Sequence, residues 1–190
     1  GLDLPIPLLE INPKDLEKSL LKDLPLKAIS VRRIAMPTRL QIELQERKPV
    51  ALAWRTGPNG REEGMVDKNG YWIPFLTPKQ IEGPLGELYI EGWMTKHREW
   101  ISKVLSNKNK LGSPLKRIIL TPNGELSLQT KEFSLVQLGS NSTLIERQLK
   151  TLEQLSNNLP LGFRNIRGTT IDMRDPSKPE LQMPSTGNLN

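Results

Sequence analysis

The sequence predicts an α+β fold assembled from many short elements. Three observations carry that prediction. In several runs apolar residues recur at every second position, the mark of a strand with one face in a core and one in water. Turn residues, Asn-Gly above all, punctuate those runs and favour tight hairpins. Other stretches carry leucine, isoleucine and valine at three- and four-residue steps, as an amphipathic helix does. Sixteen prolines and fourteen glycines in 190 residues agree with short elements joined by turns.

Taken in order, residues 1–11 are apolar without a period, and Pro5 and Pro7 argue for extended chain. Asn12-Pro13 is a helix start, with Asn as the cap and proline at the first helical position. Leu16, Leu20 and Leu21 line one helix face, and Leu24-Pro25 ends it. Ile29 and Val31 then alternate with Ser30 and Arg32, and Leu40, Ile42 and Leu44 alternate with Gln41, Glu43 and Gln45. Each run is expected to turn its apolar side to a core. Met36-Pro37-Thr38 connects them as a hairpin turn. Glu46-Arg47-Lys48-Pro49 breaks the pattern before a strand from Val50 to Trp54. Proline lacks an N–H, so Pro49 suits a strand start or an edge.

Gly57-Pro58-Asn59-Gly60 and Asp67-Lys68-Asn69-Gly70 are tight-turn sequences flanking Met65-Val66, and Tyr71-Trp72-Ile73 follows. Asp67 reads as an Asx-turn residue bonding its own backbone, not as a catalytic acid. Residues 74–92 read as an irregular crossover with Leu85, Leu88 and Tyr89 as core contacts. Thr95 is the expected cap of a helix over 96–107, with His97, Trp100, Ile101, Val104 and Leu105 on one face. His97 is expected at a partly exposed edge. Arg117-Ile118-Ile119-Leu120, a Pro-Asn-Gly turn at 122–124, and Leu126 and Leu128 form a hairpin signal, and Phe133 to Leu138 adds a strand. Thr143 and Glu146 have capping-box spacing. Behind them Ile145, Leu149, Leu152, Leu155 and Leu159 form a stripe too short for a coiled coil, so it is expected to pack on a sheet. Residues 169–174 read as a strand, Asp175-Pro176 as a turn, 180–183 as a last strand, and 184–190 as a frayed tail.

Composition narrows the function. Cysteine is absent, which excludes disulfides, thiolate metal sites and a cysteine nucleophile. His97 is the single histidine, a poor basis for a metal site or a histidine-based triad. There is no Gly-rich phosphate loop between a strand and a helix and no G-x-S-x-G elbow. No stretch is long and apolar enough to cross a bilayer, which takes about 20 residues. No signal peptide is visible and the first residue is not Met, so the chain reads as an excised soluble piece of something longer. The net charge is +6, but Arg32-Arg33, Arg47-Lys48, Lys108 with Lys110, and Lys116-Arg117 are spread among acids. That distribution reads as solvated faces beside a membrane and not as a nucleic-acid platform. A binding protein without catalysis, cofactor or metal is the expected class.

An ordered series of motifs carries a resemblance. Leu24-Pro25, Pro37-Thr38, Leu40, Ile42, Glu46-Arg47, Pro49-Val50-Ala51 and Val66-Asp67 with Gly70 follow one another as in the FtsQ/DivIB family of bacterial cell-division proteins. Asn123-Gly124-Glu125-Leu126-Ser127-Leu128, then Val136-Gln137-Leu138-Gly139, and Ile171-Asp172 with Arg174 resemble the family's second domain. The proline pattern and the segment ahead of Asn12 look like cyanobacterial members. The resemblance implies a POTRA-like module, a helix on a short sheet, over 1–54, lacking the family's first strand and helix. It implies a β domain with an antiparallel sheet and packed helices over 55–184, and a flexible tail over 185–190.

It also implies a role. Members are single-pass proteins of the inner (plasma) membrane, anchored by an N-terminal helix, with this region on the periplasmic side at the division site. They scaffold the divisome, bind FtsB/DivIC- and FtsL-type partners, and link them to septal synthesis proteins of the FtsW/FtsI type. Strand addition at a C-terminal sheet edge is the implied mechanism. Carried over by position, the partner-binding residues are Arg174 before the last turn and Glu180, Leu181, Gln182 and Met183 on the last strand. Arg174 is expected to pair with a partner carboxylate, and Leu181 and Met183, which share a parity, to anchor the contact or to face the core. Arg32 and Arg39 are secondary candidates on an exposed face. The alternatives are a POTRA-containing outer-membrane assembly or secretion component, and a basic nucleic-acid-binding domain.

Overall fold

The computed structural model describes residues 7–8, 10–75, 87–158, 160 and 168–183. The chain divides into two compact units, 1–48 and 49–190, and its class is α+β. The expected boundary after Trp54 falls inside a strand, Pro49–Gly57, that belongs wholly to the second unit. The expected tail, 185–190, lies outside the described residues.

In the first unit α1 (Pro13–Asp23) starts as the sequence predicts. The Asn12 Oδ1 accepts the Lys14 N–H at 3.0 Å, and Pro13 occupies the first turn, where its missing N–H costs nothing. β1 (Leu26–Ile34) and β2 (Arg39–Glu46) pair antiparallel around the turn at 35–38. The helix is tied to β1. The Glu17 carboxylate accepts the Val31 N–H at 2.7 Å, and the Arg33 guanidinium donates to the Ile11 carbonyl at 2.7 Å. Ile11 and Val31 are the buried apolar residues of this unit among the described residues.

The expectation that β2 faces a core fails here. Ile42 is 46% exposed and Leu44 56%. The register explains it: Ile42 lies opposite Val31 and Leu44 opposite Ile29, on the same face but one strand further from the helix. The helix shields β1 and leaves β2 bare.

The second unit holds one mixed sheet. Among the described residues its order is β11-β10-β9-β8-β7-β6-β3-β4-β5. The strands are β3 (Pro49–Gly57), β4 (Gly60–Asp67), β5 (Trp72–Pro74), β6 (Tyr89–Glu91), β7 (Leu115–Leu120), β8 (Leu126–Thr130), β9 (Leu135–Gly139), β10 (Thr170–Asp172) and β11 (Glu180–Gln182). The predicted hairpins β3–β4 and β7–β8 form. Pairing is not antiparallel throughout: β3 with β6, β6 with β7, and β9 with β10 run parallel. A parallel neighbour demands a crossover. Helix α2 (Arg98–Asn107) lies in the β6–β7 connection and α3 (Ile145–Asn158) in the β9–β10 connection.

The register places one core residue per strand in a row: Ala53, Ile90, Ile118, Leu128, Val136 and Ile171. Each is at most 1% exposed. Ile101, Val104 and Leu105 of α2 and Ile145, Leu149 and Leu152 of α3 belong to the same buried cluster. Thus the leucine stripe packs as predicted, although Leu159 lies outside the described residues. Among the crossover residues Leu88 is buried and Tyr89 half-buried, while Leu85 lies outside the description.

Two helix starts differ from the expectation. A 3-10 turn at Thr95–His97 precedes α2, and no side chain caps it. Ahead of α3 the acceptor is Asn141, whose Oδ1 takes the N–H and the hydroxyl of Thr143 at 3.0 and 2.8 Å. Glu146 instead meets Lys103 of α2 at 3.1 Å.

The sequence pattern does not single out Gln148, yet it is 1% exposed. Its amide donates to the Leu138 carbonyl at 2.7 Å and the Met173 carbonyl at 2.9 Å. One side chain therefore joins α3 to the ends of β9 and β10. Gln148→Leu keeps the bulk but strands two buried carbonyls, and each unsatisfied buried group costs about 1–3 kcal/mol. Urea unfolding of this variant is expected to show a loss of roughly 2–4 kcal/mol.

Candidate partner-binding edge

Among the described residues β11 is the last strand on one side of the sheet, so its outer edge decides what can join it. The chain reaches it through a short turn. The Asp175 Oδ1 accepts the Ser177 N–H at 2.9 Å and its hydroxyl at 2.6 Å, and the Lys178 N–H reaches the Asp175 carbonyl at 3.1 Å. These bonds hold the Asp175 carboxyl below its usual range, the Ser177 hydroxyl first among the causes. β11 then returns antiparallel to β10, pairing Thr170 with Gln182, Ile171 with Leu181 and Asp172 with Glu180.

Backbone directions follow from the neighbouring ladder. The Met173 N–H donates to the Gln137 carbonyl at 2.8 Å and the Ser134 N–H to the Thr169 carbonyl at 3.0 Å. Odd residues of this segment therefore address β9, and Thr170 and Asp172 address β11. Glu180 and Gln182 are their partners, which turns the N–H and C=O of Leu181 outward. Met183 has the same parity, and so does Pro179, which offers a carbonyl and no N–H. Among the described residues this edge is thus open but short.

Its side chains divide by face. Leu181 lies opposite Ile171 on the helix-covered side, yet is 38% exposed, and Met183 is 45% exposed. Both apolar candidates sit at the rim of the core and are half open to solvent. Glu180 and Gln182 are exposed on the other face.

Arg174 pairs with a carboxylate of its own chain. Its Nε donates to both Asp172 oxygens, at 3.0 and 2.9 Å, and its Nη2 also bonds Asp172. The guanidinium holds the Asp172 carboxyl below its usual range. Its stem lies over Gly139, where an added Cβ would sit 3.0 Å from the Arg174 Cγ. Arg174 thus links the chain just beyond β10 to the end of β9, and its side chain is 62% exposed. Arg32 and Arg39 belong to the first unit. They are exposed and share the polar face of its hairpin, the side away from Ile42.

Other charged groups are engaged locally. Asp67 accepts the Asn69 and Tyr71 N–H groups, both at 2.9 Å, as an Asx-turn residue should. An open depression of about 450 Å³ on the wet face of the sheet is lined by Trp54, Arg61, Glu87, Tyr89, Glu91 and Arg117. Its charges pair within it or beside it: Arg117 with Glu91 at 2.7 Å, Arg61 with Glu63 at 3.1 Å, and Lys116 with Glu87. Among the described residues no group of three or more His, Asp or Glu side chains is placed to hold a metal.

His97 is buried, 6% exposed, and not at an open edge. Its ring packs on Trp100 at 4.8 Å and against Gly124 of the β7–β8 turn. Its Nε2 is buried without a hydrogen-bond partner among the described residues. The helix-face pattern could not show this, because the burial comes from the β7–β8 turn, far away in sequence.

Comparison with protein-family models and with curated proteins gives no match for this chain.

Burial, and secondarily Lys96, lowers the His97 pKa below 6.5. The unfolded chain then takes up a proton near pH 6.5 that the folded chain resists, so stability is full above that pH and falls as pH drops through it. His97 is the one histidine in the sequence, so the slope is attributable. The urea midpoint is expected to fall between pH 7.5 and 5.5, and His97→Leu to flatten that dependence.

Proposed function

We propose that this chain is the extracytoplasmic part of an FtsQ/DivIB-type division scaffold and does no chemistry of its own. On this reading the first unit corresponds to the POTRA-like module and the second to the β domain. Its partners are FtsB/DivIC- and FtsL-type proteins, and through them the septal synthesis machinery. An extended partner segment would add beside β11. The observation that supports this best is the outward N–H and C=O of Leu181, next to half-exposed Leu181 and Met183 side chains at the end of the sheet. Arg174 serves as a positioning residue that fixes the approach to β11, and Leu181 and Met183 carry the contact.

Calorimetry against the extracytoplasmic part of the FtsB/DivIC-type protein from the same organism tests this. Truncation after Arg174 is expected to abolish binding. Leu181→Pro, which removes the outward N–H at the centre of the edge, is expected to weaken it by about tenfold or more, with the circular dichroism spectrum unchanged. Binding that survives both changes would move the site off β11. No binding by the intact chain, with salt-sensitive DNA binding instead, would overturn the division-scaffold reading.

A further inference from the structure

His97, the one histidine in the sequence, is a buried titratable group that the candidate edge does not use. It ends the 3-10 turn before α2, and the β7–β8 turn closes over it. A Cβ added at Gly124 would sit 3.6 Å from the ring Cε1 and 3.8 Å from Nε2, so the turn packs on the ring edge that carries Nε2. Trp100 lies against the ring at 4.8 Å. Among the described residues Nε2 has no hydrogen-bond partner. The neutral ring tolerates this, because one of its nitrogens is only an acceptor. The imidazolium does not. Both nitrogens then donate, and a buried charged donor without an acceptor is costly.

The charged side chains on the elements around the ring do not relieve that cost. They are Lys96 of the 3-10 turn, Arg98 and Glu99 at the start of α2, and Glu125 at the β7–β8 turn. Lys96 opposes charging, Arg98 lies over the Tyr71 ring, and Glu99 and Glu125 are exposed. The turn is the part that can move. Among the described residues it is held by the Gly124 N–H to the Thr121 carbonyl at 2.9 Å, the Thr121 N–H to the Glu125 carbonyl at 3.0 Å, and the Glu125 N–H to the Thr121 Oγ1 at 3.1 Å. Pro122 and Asn123 are exposed, whereas Leu120 and Leu126 behind them are paired and buried. Lifting the turn therefore brings water to Nε2 without opening the core.

We propose that the β7–β8 turn, 121–125, is a proton-gated lid: closed on the neutral His97 ring, it lifts when the ring is charged, while β7 and β8 stay paired. Glu125 contributes to the negative surroundings of Arg174, so the position of the lid alters the charge beside the approach to β11. The proposal does not rest on the division-scaffold reading.

Amide hydrogen exchange of the 190-residue protein tests it, followed by NMR at pH 7.5 and 5.5 with each rate divided by its intrinsic rate at that pH. Protection of the Thr121, Gly124 and Glu125 amides is expected to fall about tenfold between the two. A histidine of pKa about 6.5 in the lifted turn favours opening by that factor over the interval. The exchange of these amides is also expected to stay flat in urea below the unfolding transition, because a local motion exposes little surface. His97→Phe keeps an aromatic ring that does not titrate, and is expected to remove the pH response at the three amides. Should His97→Phe fail to fold, the pH and urea responses of the unaltered chain decide alone. Unchanged protection at pH 5.5 overturns the proposal. So does a pH response that survives His97→Phe, or one that shares the urea slope of global unfolding.

Discussion

The parallel pairing of β9 with β10 is the constraint on which the C-terminal half of the second unit depends. It cannot be made by a hairpin, so the chain must leave the sheet and return, and α3 lies in that path. The short length of β10, three residues, makes its ladder too weak to specify the register alone. Buried contacts supply the rest. Ile171 and Met173 enter the core, and the Gln148 amide binds the Leu138 and Met173 carbonyls together. Leaving either carbonyl unpaired in that dry position would be costly. Once β10 is fixed, the Arg174–Asp172 pair and the Asp175 turn leave β11 one direction in which to run.

The two units are stabilised on different scales. The second buries residues from most of its strands and from two helices in one cluster, the source of most folding free energy in a domain of this size. The first has one helix lying along one strand, with Ile11 and Val31 buried among its described residues. Its shape is held by local devices: the Asn12 cap, the Glu17–Val31 and Arg33–Ile11 bonds, and the β1–β2 ladder. Such devices contribute about 1 kcal/mol apiece. Local opening is therefore expected to cost less in the first unit than in the second.

Elements set by nearby residues are legible in the sequence. The Asn12-Pro13 helix start, the Asn59-Gly60 and Asn123-Gly124 turns, the Asp67 turn and the leucine stripe each depend on residues within a few positions. What stays hidden depends on distant partners. Strands of three residues, such as Tyr89–Glu91, hold too few alternations to show a period or a direction. Gln148 reads as a surface glutamine until β9 and β10 are known to end beneath it. The apolar side of β2 is visible in the sequence, but not the fact that the helix covers only the strand before it. Of the candidate edge, the parity of Leu181 and Met183 can be read directly. The Arg174–Asp172 pair is not legible, because it depends on the bend that follows β10 and brings the two side chains together.

Among the described residues, the edge of β11 invites little pairing. β11 is three residues long, has proline beside it and carries exposed Glu180. These are the features by which sheets discourage indiscriminate strand addition. A segment added there gains few main-chain hydrogen bonds, so most of its affinity must come from side chains seated beside Leu181 and Met183. An edge of this kind therefore selects by sequence.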